Sequence, residues 1–199
     1  MSKREQNKQA VRSLLLEESL KLFSEKGASN TTVADIVEIC GIGRGTFYNY
    51  FHDVNHVMNV ILEEMYTKIR VLSKEARENS TTVYQMLYSS FKCYLDYVSD
   101  DEYKDFHRKN QAYIRSASYE NKVIRSVIIE MQDDLKKLKD FGEFKENYEL
   151  QLLSVILVGT PVELFLNIHK TNIKTTNEEL AAFMAKLFTK AMKPSKQPV

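Results

Sequence analysis

The stretch that decides the fold is Thr31 to Phe51, TTVADIVEICGIGRGTFYNYF, which predicts two short helices joined by a tight turn. Thr32, followed by Asp35 three residues later, is a capping-box pattern that starts a helix. Gly41 ends that helix, because a glycine adopts the left-handed conformation at little steric cost. Between the two signals, apolar residues repeat at helical spacing, namely Val33, Ile36, Val37 and Cys40.

The second helix of this stretch is predicted from about Arg44 to Phe51, with Gly43 as its cap. Phe47 and Phe51 form its inner, apolar face. Its outer face is polar and carries Arg44, Thr46, Tyr48 and Asn49. In a helix-turn-helix the second helix lies in the major groove and reads base edges from its N-terminal end. The alternative is a plain helical hairpin inside an all-α core.

The side chains on this outer face have the chemistry that DNA recognition requires. Arg44 can make a bidentate contact to guanine, and Asn49 can do so to adenine. Gly45 has no side chain, which lets the helix approach a nucleic-acid backbone closely. Hydroxyls that can donate to phosphate oxygens, and so fix position rather than sequence, are those of Thr46, Tyr48 and Tyr50.

Three motifs strengthen this interpretation: Phe23-x-Glu25-Lys26-Gly27, Thr31-Thr32-Val33-x-Asp35-Ile36, and Cys40-Gly41-Ile42-Gly43-x-Gly45-Thr46-Phe47-Tyr48-x-Tyr50-Phe51. At this spacing the chain closely resembles the N-terminal domain of the tetracycline-repressor (TetR) family. The resemblance is dense from about Leu15 to Phe51. It implies a dimeric, all-helical, ligand-responsive transcription regulator, usually a repressor that binds a palindromic operator on double-stranded DNA.

By resemblance, the positions that touch DNA are Thr32, Arg44, Thr46, Tyr48, Asn49 and Tyr50. We add Gly43, Gly45 and His52 to the predicted DNA-binding set. Many family members have serine where this chain has Gly43, and lysine where it has Val54. The phosphate contact that is often assigned to this lysine is then expected, in weaker form, from His52, Asn55 or His56.

The composition places any attraction to DNA on a local surface. The 199 residues include 28 basic and 27 acidic side chains, for a formal net charge of +1. This balance gives no strong global attraction to nucleic acid. Local positive charge occurs at the N-terminus, at Lys3, Arg4, Lys8 and Arg12.

Sequence features also indicate where the protein acts and which chemistry it lacks. The N-terminus is charged and shows no signal peptide. The most apolar stretch, residues 150–168, is interrupted by Gln151, Pro161 and Glu163. It therefore predicts a core or interface helix rather than a membrane span, and we expect a cytoplasmic protein. The two cysteines form neither a disulfide framework nor a metal-ligand spacing, so we expect no metal and no cofactor.

Only helical patterns follow residue 51, which predicts an all-α fold. We expect a helix-turn-helix DNA-binding domain over residues 1–66, with its motif at about 31–50, and an effector-binding and dimerisation domain over residues 67–199. A first helix at 5–26 supports the motif. The later helices are predicted at 54–78, 82–98, 102–116, 119–139, 146–170 and 177–192, with a loop at 141–142. Asp53 is expected to cap the helix at 54–78, and Asn177 the last helix. The helix at 146–170 is expected to be bent or broken near Pro161.

The last two predicted helices are more apolar than one chain of this size needs to bury. A two-fold interface that joins both helices into a four-helix bundle covers the excess. It also places two copies of the helix-turn-helix domain, which we call reading heads, about 34 Å apart, as a palindromic site requires. The alternative is a monomeric core. The predicted interface residues are Leu153, Ile156, Val162, Phe165, Leu180, Phe183, Met184 and Leu187.

An effector site is expected among the aromatic and methionine side chains of the second domain. Tyrosine offers a flat apolar body with one polar tip, and methionine adapts to shape, which suits a mostly apolar small molecule. The predicted ligand-binding residues are Met65, Tyr88, Phe91, Tyr113 and Met131. The alternative is ordinary core packing, which leaves a ligand-independent repressor or architectural DNA-binding protein.

An enzyme is the third class of function that we considered. The sequence shows no nucleophile motif, no phosphate-binding loop and no metal constellation. His52 and His56 are four residues apart and can share a helix face, but no third ligand accompanies them. We therefore expect no catalytic activity.

Overall fold

The computed structural model describes residues 2–138, 147–168 and 171–192, and all regular structure in these ranges is helical. The all-α fold class is confirmed. A single 3-10 turn, Ala28–Asn30, follows the first helix. The α-helices are α1 (Lys3–Glu25), α2 (Val33–Ile39), α3 (Arg44–Tyr48), α4 (Val54–Arg77), α5 (Val83–Ser99), α6 (Lys104–Lys109), α7 (Gln111–Glu120), α8 (Lys122–Lys136), α9 (Asn147–Ile168) and α10 (Asn177–Ala191).

The helices form two compact units. The first comprises the chain up to Met65 together with Asp100–Glu120, and the second comprises Tyr66–Ser99 and the described chain from Asn121 onward. This grouping differs from the division at residue 66, because α6 and α7 fold with the N-terminal helices. The functional division into a DNA-binding and an effector domain stays a prediction.

The first unit is built around apolar side chains from six helices, α1 to α4, α6 and α7. Its most deeply buried apolar residues, each at most 2% exposed, are Leu15, Phe23, Ile36, Phe47, Phe51, Val57, Met58, Leu62, Phe106 and Ile114. α1 supplies Leu15 and Phe23, α3 supplies Phe47, and α6 supplies Phe106. This core fixes the helix-turn-helix pair against α1, as a rigid reading head requires.

Asn110 joins the middle of the chain to its N-terminus. Its side-chain Oδ1 accepts a hydrogen bond of 2.7 Å from the Ala28 N–H, and its Nδ2 donates to the Phe23 carbonyl at 2.9 Å. Nδ2 also donates to the Phe106 carbonyl at 2.7 Å, at the end of α6. The single helix predicted at 102–116 is therefore wrong: the chain leaves the helix at Asn110, between α6 and α7.

Replacing Asn110 by alanine is expected to lower the free energy of unfolding by about 2–3 kcal/mol, because it leaves the buried Ala28 N–H without a partner and removes one hydrogen bond from each of two carbonyls. The loss in the free energy of unfolding is measured by urea titration, with the amide hydrogen exchange of residues 15–51 as the signal. Asn30→Ala is the matched control, since its exposed side chain bonds only to the Lys26 carbonyl. We expect it to change stability by less than about 0.5 kcal/mol. Equal effects of the two variants would contradict the role assigned to Asn110.

The second unit is organised around the close packing of α5 on α10. Ala181, Met184 and Ala185 of α10 are fully buried, and the small alanines let the helices approach closely. The rings of Phe91 and Phe188 lie 6.0 Å apart. At the edge of this contact, Lys92 Nζ bridges Asp96 at 2.6 Å and Glu178 at 3.1 Å, which links the two helices.

Three features predicted for the helices in this half differ in the structure: the start of one helix, a break within another, and the residue that caps the last. The helix predicted at 119–139 begins only after Asn121, whose side chain accepts from the N–H groups of Val123 and Ile124. α9 continues unbroken through Pro161. Thr176, rather than Asn177, caps α10 through a capping box with Glu179. The loop predicted at 141–142 lies outside the described residues.

α9 and α10 each carry an apolar stripe that their own chain leaves exposed. On α9 the side chains of Leu152, Val155 and Ile156 are 53–59% exposed. On α10 Phe183 is 62% and Leu187 52% exposed. We call these five residues the exposed apolar face. By length and composition alone, the helical stretch Glu149–Ile168 could cross a membrane, and 28% of it is buried within the chain.

Only part of the predicted dimer interface lies on this surface. Ile156, Phe183 and Leu187 belong to the exposed apolar face, and Leu153 and Leu180 are half-buried. Phe165, at 4% exposed, and Met184, at 0%, are buried within their own chain. The interface position of these two residues stays a prediction, and their burial in the core of the chain does not support it.

Candidate nucleic-acid interface and ligand cavity

The turn between α2 and α3 forms as the sequence predicts. Gly41 has φ +63°, in the left-handed region that glycine tolerates. The Gly41 N–H donates to the Glu38 carbonyl and the Ile42 N–H to the Val37 carbonyl, which closes the end of α2. Gly43 then occupies the cap position of α3 without a side-chain hydrogen bond.

α3 divides into a buried side and an exposed side. Phe47 is fully buried, and its ring meets those of Tyr48 at 5.4 Å and Phe51 at 6.0 Å. α3 ends at Tyr48, earlier than the predicted Phe51. Exposed members of the predicted DNA-binding set are Gly43, Arg44, Gly45, Tyr48, Asn49 and His52, while Thr46 and Tyr50 are half-buried. The structure thus brings one arginine, one amide and several hydroxyls onto one surface, which we call the recognition surface.

Thr32 is exposed but already engaged in starting α2. Its hydroxyl donates to Asp35 Oδ2 at 2.8 Å and accepts from the Asp35 N–H at 3.2 Å. Lys26 Nζ lies 2.9 Å from the same carboxylate. The bonds from Lys26 and from the Thr32 backbone and hydroxyl lower the Asp35 pKa to about 2. A phosphate contact by the Thr32 hydroxyl must therefore compete with this cap.

His52 and His56 lie together beside the recognition surface. Their rings stack at 4.9 Å, and the His52 N–H donates to His56 Nδ1 at 3.2 Å. The His56 N–H in turn donates to Asp53 Oδ1 at 2.7 Å, so Asp53 starts α4 as predicted. Within the described ranges, no group of three His, Cys, Asp or Glu side chains is placed to hold a metal ion.

The N-terminal basic residues differ in how free their charges are. Lys3, Arg4 and Lys8 are exposed along the first turns of α1. Arg12 forms an ion pair of 3.0 Å with Glu64, so its charge is partly neutralised. The local positive charge near the start of the chain is therefore concentrated in its first eight residues.

A mostly apolar cavity of about 90 Å³ lies inside the second unit. Four helices line it. α4 contributes Tyr66, Ile69, Arg70 and Ser73; α5 contributes Ser90, Phe91 and Tyr94; α8 contributes Ile124, Val127 and Met131; and α9 contributes Leu157, Val158, Pro161 and Val162.

The polar groups of this cavity wall fall into two kinds. Arg70 is bound to the Glu130 carboxylate, and this hydrogen bond lowers the Glu130 pKa. Tyr66 and Tyr94 keep their hydroxyl protons, because burial raises the pKa of Tyr66 to about 12 and raises that of Tyr94 as well. At neutral pH the wall thus offers neutral hydroxyls and an arginine that is already paired.

Behind Arg70, a buried ion pair fixes α4 to α8. Arg77, only 2% exposed at its side chain, places Nε 2.7 Å from Asp134 Oδ2. Its Nη1 donates to Ser73 Oγ at 3.1 Å, and its Nη2 lies 3.6 Å from Glu130 Oε2. These contacts hold together two of the helices that line the cavity.

Two of the five predicted ligand-binding residues, Phe91 and Met131, line the cavity. Met65 is buried in the first unit, and Tyr113 there donates to Asn59 Oδ1 at 3.0 Å. Tyr88 stacks on Tyr84 instead. Val162, predicted at the dimer interface, is a lining residue.

The sequence analysis missed most of the α4 wall. Tyr66, Ile69, Arg70 and Ser73 follow one another at intervals of three, one and three residues, which places them on one helix face. This pattern was available from sequence, but it does not distinguish a cavity wall from ordinary core. Whether these four residues line a cavity or ordinary core depends on where α8 and α9 lie.

Sequence comparisons match the N-terminal part of the chain. The family model described as "Bacterial regulatory proteins, tetR family" matches residues 15–53. An uncharacterized HTH-type transcriptional regulator of Bacillus subtilis, YuxN, is 32% identical over 93 residues, which cover 43% of this chain and 32% of that protein. AcrR of Shigella flexneri is 33% identical over 73 residues, or 37% of this chain and 34% of AcrR. The chain thus spans about a third of the length of these curated relatives.

Solved structures match nearly the whole fold. A tetR-family regulatory protein from Rhodococcus RHA1 superposes with a TM-score of 0.71 at 14% identity, over 97% of this chain and 98% of that chain. FadR from Bacillus subtilis, solved in complex with stearoyl-CoA, gives 0.72 at 16% identity, over 89% and 97%. At these identities the likeness shows the fold. Residues 15–53 therefore match the tetR family of bacterial regulatory proteins, and the fold of the chain is that of solved tetR-family regulators.

Proposed function

We propose that the protein is a cytoplasmic, sequence-specific DNA-binding regulator of transcription. The observation that carries this proposal is the recognition surface. Arg44, Tyr48 and Asn49 are exposed on and just after α3, while Phe47 anchors the helix from beneath. Arg44 reads guanine in the major groove, and Tyr48 fixes the helix against phosphate.

The proposed active form is a homodimer. The exposed apolar face of α9 and α10 supports this proposal, since five large apolar side chains on two helices that follow one another in the chain favour burial against a partner. A two-fold axis through this face makes the two copies bury the same residues, and it supplies two reading heads for a palindromic operator.

The proposed mode of action is repression that a small, largely apolar effector relieves. The cavity of the second unit supports an effector, and the structural neighbour FadR was solved with stearoyl-CoA. Release from DNA requires that the effector bind more tightly to a conformation with low operator affinity. A ligand-independent repressor remains the competing function, and it predicts that no small molecule occupies the cavity.

Replacing Arg44 by alanine is expected to weaken binding to the preferred DNA site about 10- to 100-fold, because a bidentate arginine–guanine contact contributes about 1–3 kcal/mol. The site is first selected from DNA flanking the protein's own gene and from a random duplex pool. Gel-shift titration at two salt concentrations then gives the affinities.

Arg108→Ala is the matched control for this experiment. It removes the same charge from an exposed residue of α6 that pairs with Asp105 and lies outside the recognition surface. We expect less than a threefold loss. A folded protein without sequence-preferring binding would contradict the proposed function. Equal losses for the two variants would contradict base reading by Arg44.

A further inference from the structure

A histidine side chain closes the turn between α3 and α4. The backbone N–H groups of Asn49, Tyr50 and Phe51 bond back to carbonyls of α3. The next N–H, that of His52, bonds forward instead, because it donates to Nδ1 of His56 at 3.2 Å. His56 lies in the first turn of α4. Its ring therefore ties the segment after the recognition helix to the start of the next helix.

Packing also connects the His56 ring to the anchor of α3. The ring meets that of Phe51 edge-on, with 5.5 Å between centroids, and Phe51 meets the fully buried Phe47 at 6.0 Å. The His52 ring stacks on His56 at 4.9 Å. The position of His56 thus bears on residues 49–53, a segment that carries three members of the predicted DNA-binding set.

We propose that His56 is a positioning residue for DNA binding, and that it acts only as a neutral imidazole that accepts from the His52 N–H. The inference rests on the proposed function and deepens it, since it makes the affinity for DNA depend on pH. A neutral imidazole has one accepting and one donating nitrogen, whereas both nitrogens of the charged ring donate. Protonation would turn an N–H of His56 against the N–H of His52, so the hydrogen bond that closes the turn is lost. Histidine ordinarily gains this proton between about pH 8 and 5.

Other ionisable groups lie next to His56. The Asp53 carboxylate accepts the His56 backbone N–H at 2.7 Å. From α7, the Tyr113 hydroxyl donates to the Asn55 carbonyl at 3.2 Å, and burial raises the pKa of this hydroxyl, so it stays neutral. A proton on the stacked His52 ring acts in the opposite direction to one on His56, because it adds positive charge beside DNA phosphate. The experiment must therefore separate the two histidines.

Replacing His56 by asparagine tests the role of the neutral ring. The asparagine amide oxygen is separated from the backbone by the same number of bonds as Nδ1 of histidine, so it can accept the His52 N–H without gaining a proton. At about pH 8, wild type and His56→Asn should bind the selected DNA site with affinities within about twofold. At about pH 5.5, the wild type should bind about three- to tenfold more weakly than His56→Asn, as the loss of one hydrogen bond implies. Gel-shift titration measures the ratio, and circular dichroism at each pH checks that both proteins are folded.

Two further comparisons assign the effect to Nδ1 of His56. In a His52→Asn background the charge on His52 is removed, while the backbone N–H of residue 52 and the His56 ring remain. The same substitution of His56 should there give the same change of about three- to tenfold. His56→Leu has no acceptor, so it should bind about three- to tenfold more weakly than the wild type at about pH 8 and equally at about pH 5.5.

The ring nitrogens of the wild-type protein test the hydrogen bond without any substitution. Nitrogen-15 NMR spectra of the histidine rings in the full chain distinguish a protonated from an unprotonated Nδ1. We expect neutral His56 to carry its proton on Nε2 and to leave Nδ1 bare, in the absence of DNA. A neutral ring with its proton on Nδ1 would overturn the inference, even if every variant failed to fold.

Two affinity results would also overturn the inference. The first is a ratio between wild type and His56→Asn that is the same at both pH values, as a merely structural role would give. The second is tighter binding by the wild type than by His56→Asn at the lower pH, which would make His56 a cation that binds phosphate. If a folded protein prefers no DNA site at either pH, the proposed function falls instead, and with it the role of His56 in DNA binding. The ring spectra still decide the hydrogen bond in that case.

Discussion

Replacing Phe47 by alanine is expected to destabilise the first unit by about 3–5 kcal/mol and to abolish sequence-preferring DNA binding. Phe47 is fully buried beneath α3 and contacts the rings of Tyr48 and Phe51. Truncating it removes buried apolar surface and leaves a cavity that the surrounding side chains fill only in part. α3 has only five residues, so this packing rather than helix propensity holds it in place.

Amide exchange measured by mass spectrometry gives the stability of each unit separately, which suits a chain with two units and no tryptophan. Protection should fall across residues 33–58 in Phe47→Ala and stay unchanged in α10. Tyr48→Ala is the matched control, because Tyr48 is adjacent in sequence and 56% exposed. It should alter stability by less than about 0.5 kcal/mol while still weakening DNA binding. A larger loss of protection in the control would refute the anchoring role of Phe47.

The double variant Phe183→Glu, Leu187→Glu is expected to convert a homodimer into a folded monomer. In the proposed assembly both side chains are buried, and each substitution acts twice because of the two-fold symmetry. Losing this apolar burial and adding buried charge should raise the dimer dissociation constant at least about 1000-fold. Operator affinity should fall in parallel, since one reading head then binds alone.

Analytical ultracentrifugation over a range of protein concentrations measures the dissociation constant, and circular dichroism checks that helicity is kept. Ile129→Glu is the control: Ile129 is 58% exposed on α8, is not one of the five residues of the exposed apolar face, and is also a large apolar side chain replaced by glutamate. It should leave the dimer intact. A monomeric wild-type protein, or equal dissociation in the control, would argue against this interface.

The helix-turn-helix was predictable because its signals are local. The capping box of Thr32 and Asp35 and the left-handed Gly41 each act within four residues, and both appear in the structure as predicted. The length of α3 was overestimated, because Phe51 is buried below the helix without being part of it. Apolar periodicity identifies a buried residue but not the backbone conformation that buries it.

Features that depend on distant residues were not predictable. The break at Asn110 follows from hydrogen bonds to Phe23 and Ala28, which lie more than eighty positions earlier. α9 is apolar on every side, so its sequence does not separate the core residue Phe165 from the exposed Ile156. The cavity wall was missed for the same reason, since Tyr66 differs from a core tyrosine only through what the other helices leave open.

The bonds made by Asn110 also constrain the order in which the chain folds during synthesis. The hydrogen bonds to the Phe23 carbonyl and the Ala28 N–H span 87 and 82 positions. A nascent chain that has emerged from the ribosome only as far as Met65 already contains α1 to α3 but not their buried amide partner. Completion of the reading head must therefore wait until α5 and α6 have been translated, and a fragment cut after Met65 lacks the closing bonds of its own unit.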